Sequence, residues 1–197
     1  MSLFDSIAPI YALFFNFQVN YFNKIQARAK SEIELKQYDS ILDIGCGTGA
    51  LCKTLYDKGL KVTGVDPSKA MIDQAHKKLK DTNVDLSKIL AGARLPFKDD
   101  SFDIAITSYV AHGLEADERI ELYKEMRRVS KDIVIIHDYN KERALLTTII
   151  EWLERGDYFN FIKIAKDEMK EVFGKIVEIN VDTRASWYIC YCSKEGR

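Results

Sequence analysis

Proline is scarce in this 197-residue chain, at three residues, and histidine is equally so. The shortage excludes a proline-rich linker or recognition segment, and no glycine- or serine-rich tract or internal repeat stands in for one. The four cysteines, Cys46, Cys52, Cys190 and Cys192, form two distant pairs without CxxC spacing, which argues against a zinc site or redox motif. They read as buried thiols of a reducing compartment, so a cytoplasmic location is expected. Long apolar runs are missing too. The N-terminal MSLFDSIAPIYALFFNF is interrupted by Asp5 and Asn16 and followed by Gln18 and Asn20, well short of a membrane span, and lacks the basic start of a signal peptide. Nor does one sign of charge dominate: 29 Lys and Arg oppose 30 Asp and Glu, for a net charge of -1. No global field then recruits nucleic acid or an anionic membrane, and a small molecule is the expected partner.

What the chain does have is apolar content. At 47% hydrophobic residues it can bury a sizeable core, and its length fits one domain over residues 1–197. Short apolar runs alternate with helix-period segments. Strands are expected at Ser40–Ile44, Leu60–Val65, Ile89–Ala91, Ser101–Ser108 and Ile133–Ile136, and helices at Ala50–Lys58, Ser68–Leu79 and Ala116–Val129. Ser68 is a good N-cap and Gly59 a good helix stop. Further helices are expected at about Lys141–Glu154 and Ala165–Phe173. The strand-like runs Lys175–Val181 and Ala185–Cys192 then follow, too closely joined for anything but antiparallel pairing. The pattern predicts an α/β fold: a Rossmann-like, doubly wound, seven-stranded sheet, mostly parallel, with a C-terminal antiparallel hairpin. Residues 1–37 form a helical cap on the α/β core of 38–197. In the cap, Phe4, Ile7, Tyr11, Phe14, Phe15, Val19 and Phe22 recur at helical spacing, either as a packed face or as a lid over an apolar substrate.

The turn between the first strand and first helix reads Asp43-Ile44-Gly45-Cys46-Gly47-Thr48-Gly49-Ala50. Glycines there let the backbone turn sharply and approach a ligand. Taken loosely, Gly45, Gly47 and Ala50 satisfy the dinucleotide fingerprint, and Asp66 at the end of the second strand is placed to accept ribose hydroxyls. A nicotinamide enzyme would carry its glycines nearer the N-terminus and a sixth parallel strand in place of the hairpin.

The segments ILDIGCGTG, VTGVDPSKAMIDQA and ARLPFKDDSFDIAITS resemble the class I S-adenosylmethionine-dependent methyltransferases, most nearly the small "type 11" group, from about Tyr38 to the C-terminus. The resemblance implies S-adenosyl-L-methionine as cofactor. It places Gly45, Gly47 and Gly49 beside the methionine and ribose portions and Asp43 near the amino group. Asp66 would hold the ribose, and Pro67, Ser68 and Met71 would flank the adenine. Ala8-Pro9-Ile10-Tyr11 resembles the family's lid, which makes Tyr11 a cofactor or substrate contact. One departure stands out: the family's acid after the third strand is missing from Leu90-Ala91-Gly92-Ala93-Arg94-Leu95-Pro96-Phe97. Adenine recognition then falls to backbone near Ala93 and to apolar packing.

The reactive end of a ligand lies beyond the carboxyl ends of the strands in such a sheet. That rule points to Ser108–His112, with Ser108 a cofactor contact, and to His137-Asp138-Tyr139. His112 and His137 are the candidate general bases, since an unperturbed imidazole titrates near neutrality; each could equally be a structural hydrogen-bonding residue. No Asn/Asp-Pro-Pro-Tyr follows strand four, which lowers nucleic-acid methylation, and no residue set has metal-ligand spacing. The expected activity is methyl transfer to a small-molecule acceptor. A nucleic-acid or protein methyltransferase, or a non-catalytic cofactor-binding module, are the alternatives.

Overall fold

The computed structural model describes residues 3–141 and 158–192. Among them, β1 (Ser40–Ile44), β2 (Lys61–Asp66), β3 (Asp85–Lys88), β4 (Phe102–Ser108), β5 (Ser130–Tyr139), β6 (Ile176–Asp182) and β7 (Ala185–Tyr191) form one sheet. The strand order is β3-β2-β1-β4-β5-β7-β6. β1 to β5 pair in parallel, and β7 is antiparallel to both β5 and β6. Six strands therefore run one way and β7 alone opposes them. The placement follows from burial: β7 is buried along nearly its whole length and takes the interior position, whereas the half-buried β6 takes the edge.

The helices are α1 (Leu3–Leu13), α2 (Phe15–Ala29), α3 (Ala50–Tyr56), α4 (Lys69–Lys78), α5 (Ala116–Val129) and α6 (Tyr158–Phe173). Alternate strand residues feed two cores. Ile41, Ile104, Ile106, Ile135 and Trp187 share a cluster with Ile25, Leu51, Leu55 and Ile72 on one side of the sheet. Leu42, Ala105, Val134, Ile136 and Tyr188 share the other with Tyr123, Met126, Phe161 and Met169. Across the second core, Arg119 of α5 donates from Nε and Nη2 to the two carboxylate oxygens of Glu168 on α6, at 2.8 and 2.7 Å. All four cysteines are buried.

Several expectations need correction. The third strand is Asp85–Lys88, not Ile89–Ala91. As an edge strand it is exposed along much of its length and so lacks an apolar run. β5 runs on to Tyr139, so His137-Asp138-Tyr139 belongs to the strand itself, opposite Trp187, Ser186 and Ala185 of β7. α6 is already helical at Tyr158, ahead of the expected Ala165. Residues 142–154 of the helix expected from Lys141 lie outside the described residues. The N-terminal stripe is shared between two helices. Phe15 is buried and Val19 and Phe22 are half-buried, whereas Tyr11 and Phe14 are exposed. α1 packs on α4, and α2 on α3 and β6. No described helix is long and apolar enough to cross a membrane.

Candidate active site

The glycine turn leaves β1 and immediately takes up left-handed backbone. Gly45, Gly47 and Gly49 have φ of +77°, +53° and +83°, which side chains with a Cβ rarely tolerate. The three differ in what surrounds them. A Cβ on Gly45 would stand 2.5 Å from Val110 Cγ2, and one on Gly49 would stand 2.6 Å from Leu79 Cδ1. A Cβ on Gly47 would meet nothing within 4 Å, so the loop is open at its middle glycine.

Two carboxylates lie under this loop. Asp66, at the end of β2, accepts the Gly47 N–H at 2.9 Å and the Ser68 N–H at 2.8 Å, tying the loop to the start of α4. Asp43 is buried within β1. Its Oδ2 accepts from the Cys52 thiol at 3.2 Å, but its Oδ1 is buried with no hydrogen-bond partner. Desolvation, opposed by the Cys52 hydrogen bond and reinforced by the Asp66 charge, pushes the Asp43 carboxyl up to about 7. A buried acceptor without a partner costs about 1–3 kcal/mol, and a cationic donor offsets that cost.

The other expected cofactor contacts are spread around this centre. Ser68 is buried and its Oγ caps α4 by accepting the Met71 N–H at 3.2 Å. Met71 is buried as well, and Pro67 is exposed. Ala93 sits on an exposed turn where its N–H donates to the Leu90 carbonyl at 3.3 Å. That turn is held from α5: Glu125 accepts the Leu95 N–H at 2.9 Å, and Arg128 donates to the Phe97 and Leu95 carbonyls at 2.8 and 3.1 Å. From above, Gln18 of α2 accepts from the Thr48 hydroxyl at 3.5 Å, roofing the glycine loop.

Beyond β4 and β5 stands an aromatic wall. Tyr109 adopts φ +54°, a strained conformation for a bulky residue, which turns its ring toward His137 and Tyr139, with centroids 4.6 and 5.2 Å away. Its hydroxyl lies 2.7 Å from that of Tyr21 on α2, and burial pushes both phenols up from their usual range. His137 is wholly buried behind Tyr109, with Nδ1 2.8 Å from Ser108 Oγ and Nε2 without a partner. Desolvation, only partly opposed by Asp138 and Asp182, lowers its pKa to about 4. His112 stands at the near edge of the wall, 4.8 Å from the Tyr139 ring, with its side chain 12% exposed. Its Nδ1 lies 2.8 Å from Asp138 Oδ1, and its N–H donates to Asp138 Oδ2 at 3.2 Å. Asp138 entered the sequence reading only within His137-Asp138-Tyr139 and was given no role of its own there; the signal was an acid next to His137 at a strand end. Tyr21 was likewise missed, because nothing local ties α2 to the end of β4.

A seven-stranded sheet with one reversed strand, a glycine turn after β1 and an acid closing β2 define an adenosine-binding α/β protein. Residues 41–132 match the family model described as a methyltransferase domain. An uncharacterised methyltransferase of Bacillus licheniformis is 31% identical over 144 residues, which cover 71% of this chain and 64% of the relative. A ubiquinone biosynthesis O-methyltransferase of Bartonella quintana is 31% identical over 147 residues, covering 68% of this chain and 58% of that protein. The match thus spans less than two thirds of either relative. Among solved structures, the magnesium protoporphyrin IX methyltransferase of Synechocystis shares the fold. Its TM-score is 0.62 at 15% identity, over 89% of this chain and 83% of that one. Residues 41–132 thus carry a methyltransferase domain of the class I S-adenosylmethionine-dependent kind, whose cofactor is S-adenosylmethionine. The residues present fit that cofactor: the partnerless Asp43 Oδ1 suits its ammonium, and the gap at Gly47 lets its body approach the backbone.

Proposed function

We propose that this chain methylates a small, flat, partly apolar acceptor bearing an ionisable O–H or N–H. The single observation that carries this reading is the His112–Asp138 pair set at the edge of the Tyr21–Tyr109–Tyr139 wall. Residues 1–197 act as one domain in this reading, with the cap of 1–37 roofing the site. Asp43 takes the cofactor's ammonium group and Asp66 the ribose hydroxyls. Gly45, Gly47 and Gly49 shape the passage for the methionine portion. Pro67, Ser68 and Met71 border the adenine with the Ala93 turn, and Ser108 and Tyr11 face the cofactor from either side.

The cofactor supplies an electrophilic methyl group, so the protein's part is alignment, desolvation and proton removal. The Asp138 carboxylate holds His112 in the tautomer protonated at Nδ1, which makes Nε2 the basic nitrogen. Nε2 accepts the acceptor's proton as its heteroatom takes the methyl, and Asp138 stabilises the resulting imidazolium. The aromatic rings orient a planar acceptor and keep water out. His137, neutral and sealed behind Tyr109, braces the wall and moves no proton. The name of the Bartonella relative places its reaction at oxygen in quinone biosynthesis, and a phenolic acceptor of that kind suits an aromatic wall with a base at its rim.

Methyl transfer from S-adenosylmethionine to a panel of phenols, enols and aromatic amines tests the reading. Turnover on a heteroatom acceptor is expected, lost in His112→Ala while calorimetry still shows binding of S-adenosylhomocysteine. Turnover confined to carbon acceptors without an acidic proton, or undiminished in His112→Ala, contradicts it.

A further inference from the structure

Ile10, Leu13, Phe14 and Phe17 are 55%, 82%, 56% and 71% exposed. Their i, i+3, i+4, i+7 spacing aligns four bulky apolar side chains along one side of the α1–α2 segment. Backbone bonding continues through the junction, where the Phe14 N–H donates to the Tyr11 carbonyl at 3.1 Å and the Gln18 N–H to the Phe14 carbonyl at 2.9 Å. The packed side of the same segment carries Ala8, Ala12 and Phe15, all buried. The stripe therefore lies on the outer surface of the segment whose Gln18 reaches the glycine loop. Single exposed apolar residues are ordinary, whereas a contiguous bulky stripe marks a docking surface.

The charge on the neighbouring helix points to the stripe's partner. α1 packs on α4, whose last turn and exit carry the exposed His76, Lys77, Lys78 and Lys80. The Lys78 ammonium stands 5.4 Å from the ring centroid of Phe15, on the packed side of the segment, so the basic cluster flanks the base of the cap. Of the α4 lysines, only Lys69 is paired with a carboxylate among the described residues, and its partner is Asp73. Asp81 is the one acid that follows Lys80 closely.

We propose that this face docks on an anionic lipid bilayer. Ile10, Leu13, Phe14 and Phe17 enter the boundary between headgroups and acyl chains, and Lys77, Lys78 and Lys80 engage lipid phosphates. Apolar insertion beside a basic rim is the combination that holds an interfacial helix on an anionic membrane. A second copy of the chain fits the face less well, because a symmetric contact there sets the two lysine clusters against each other. The near-zero net charge pointed away from membranes because it averages over the whole surface and hides this local cluster. The proposal stands apart from the choice of acceptor.

Sedimentation of the full chain with vesicles tests it, using phosphatidylcholine alone and phosphatidylcholine with an equal part of phosphatidylglycerol. Binding to the mixed vesicles is expected, weakening as salt is raised. Combining Leu13→Ser, Phe14→Ser and Phe17→Ser should lower that binding roughly tenfold or more. Combining Lys77→Gln, Lys78→Gln and Lys80→Gln should lower it by a similar factor, on the order of tenfold, and remove most of the salt dependence. Circular dichroism and S-adenosylhomocysteine binding establish that each variant is folded. The proposal is overturned if the folded wild type ignores anionic vesicles or if the serine variant binds them as well as the wild type does. It is also overturned if light scattering finds a dimer that the serine variant dissociates, which would assign the face to a second copy.

Discussion

Asp138 grips His112 twice, with Oδ1 2.8 Å from the imidazole Nδ1 and Oδ2 accepting the backbone N–H at 3.2 Å. The first bond sets the tautomer and the second sets where the residue sits, so one carboxylate fixes both the basicity and the position of the ring. Asp138→Asn keeps the shape but removes the charge that stabilises an imidazolium. Its kcat should fall about 10- to 1,000-fold with KM little changed, and the acidic limb of the kcat–pH profile should shift; His112→Ala should cost about 100-fold or more. A pH–rate series on both variants checks this, and an unshifted profile in Asp138→Asn reduces Asp138 to a packing role.

The Asp43 carboxyl, pushed up to about 7 by burial, makes cofactor affinity depend on pH. A raised acid pKa means that the apo protein gains stability below the ordinary value of 3.8 and loses it as pH rises through about 7. The ionised form is the one that pairs with the cofactor's ammonium group. Affinity should therefore rise with pH, by up to about tenfold per unit below 7, and then level off. Calorimetry with S-adenosylhomocysteine at several pH values measures it. Methylthioadenosine, which has no ammonium group, should show no such rise, and Asp43→Asn should flatten it.

At the end of β2, Asp66 serves the backbone and the ligand together. Asp66→Ala removes the acceptor for both the Gly47 and Ser68 amides. Cofactor binding should weaken by about 1–3 kcal/mol, with thermal stability falling as well. Asp66→Asn keeps one carbonyl acceptor and should recover part of the stability but little of the affinity. Titration and thermal unfolding of the pair separate the two effects, and unchanged affinity in a folded Asp66→Ala contradicts the ribose assignment.

His137 makes the fold sensitive to acid. Its pKa is lowered from 6.5 to about 4, so its contribution is complete above 6.5 and is lost as pH falls toward about 4. Up to about 3 kcal/mol should be lost across that window. Denaturant unfolding at a series of pH values, compared between wild type and His137→Gln, should show a shallower acid slope in the variant.

The cofactor half of the site was legible because its constraints are local. Gly45, Gly47 and Gly49 announce a strand-to-helix turn whose backbone no bulkier residue adopts readily, and Asp66 follows one strand later in the order such a turn requires. The strand count and the closing hairpin were legible for similar reasons: apolar runs mark buried strands, and a turn as short as that between β6 and β7 forces antiparallel pairing. β3 was misplaced because a solvated edge strand has little apolar patterning. The cap was read from one stripe, although its opposite side carries a second, and only packing shows which of the two is buried.

Chain order and local backbone chemistry were enough to set the sheet, the glycine turn and the acid beside it. The acceptor half waited on tertiary structure. His112 and Asp138 are 26 residues apart and meet because β4 and β5 are neighbours in the sheet. His137 and Asp138 are consecutive in the chain, yet alternate side chains of a strand point to opposite faces. That alternation leaves one facing His112 and seals the other behind Tyr109. No pattern within a single segment carries that distinction, because it depends on which strand lies next door and on what covers each face.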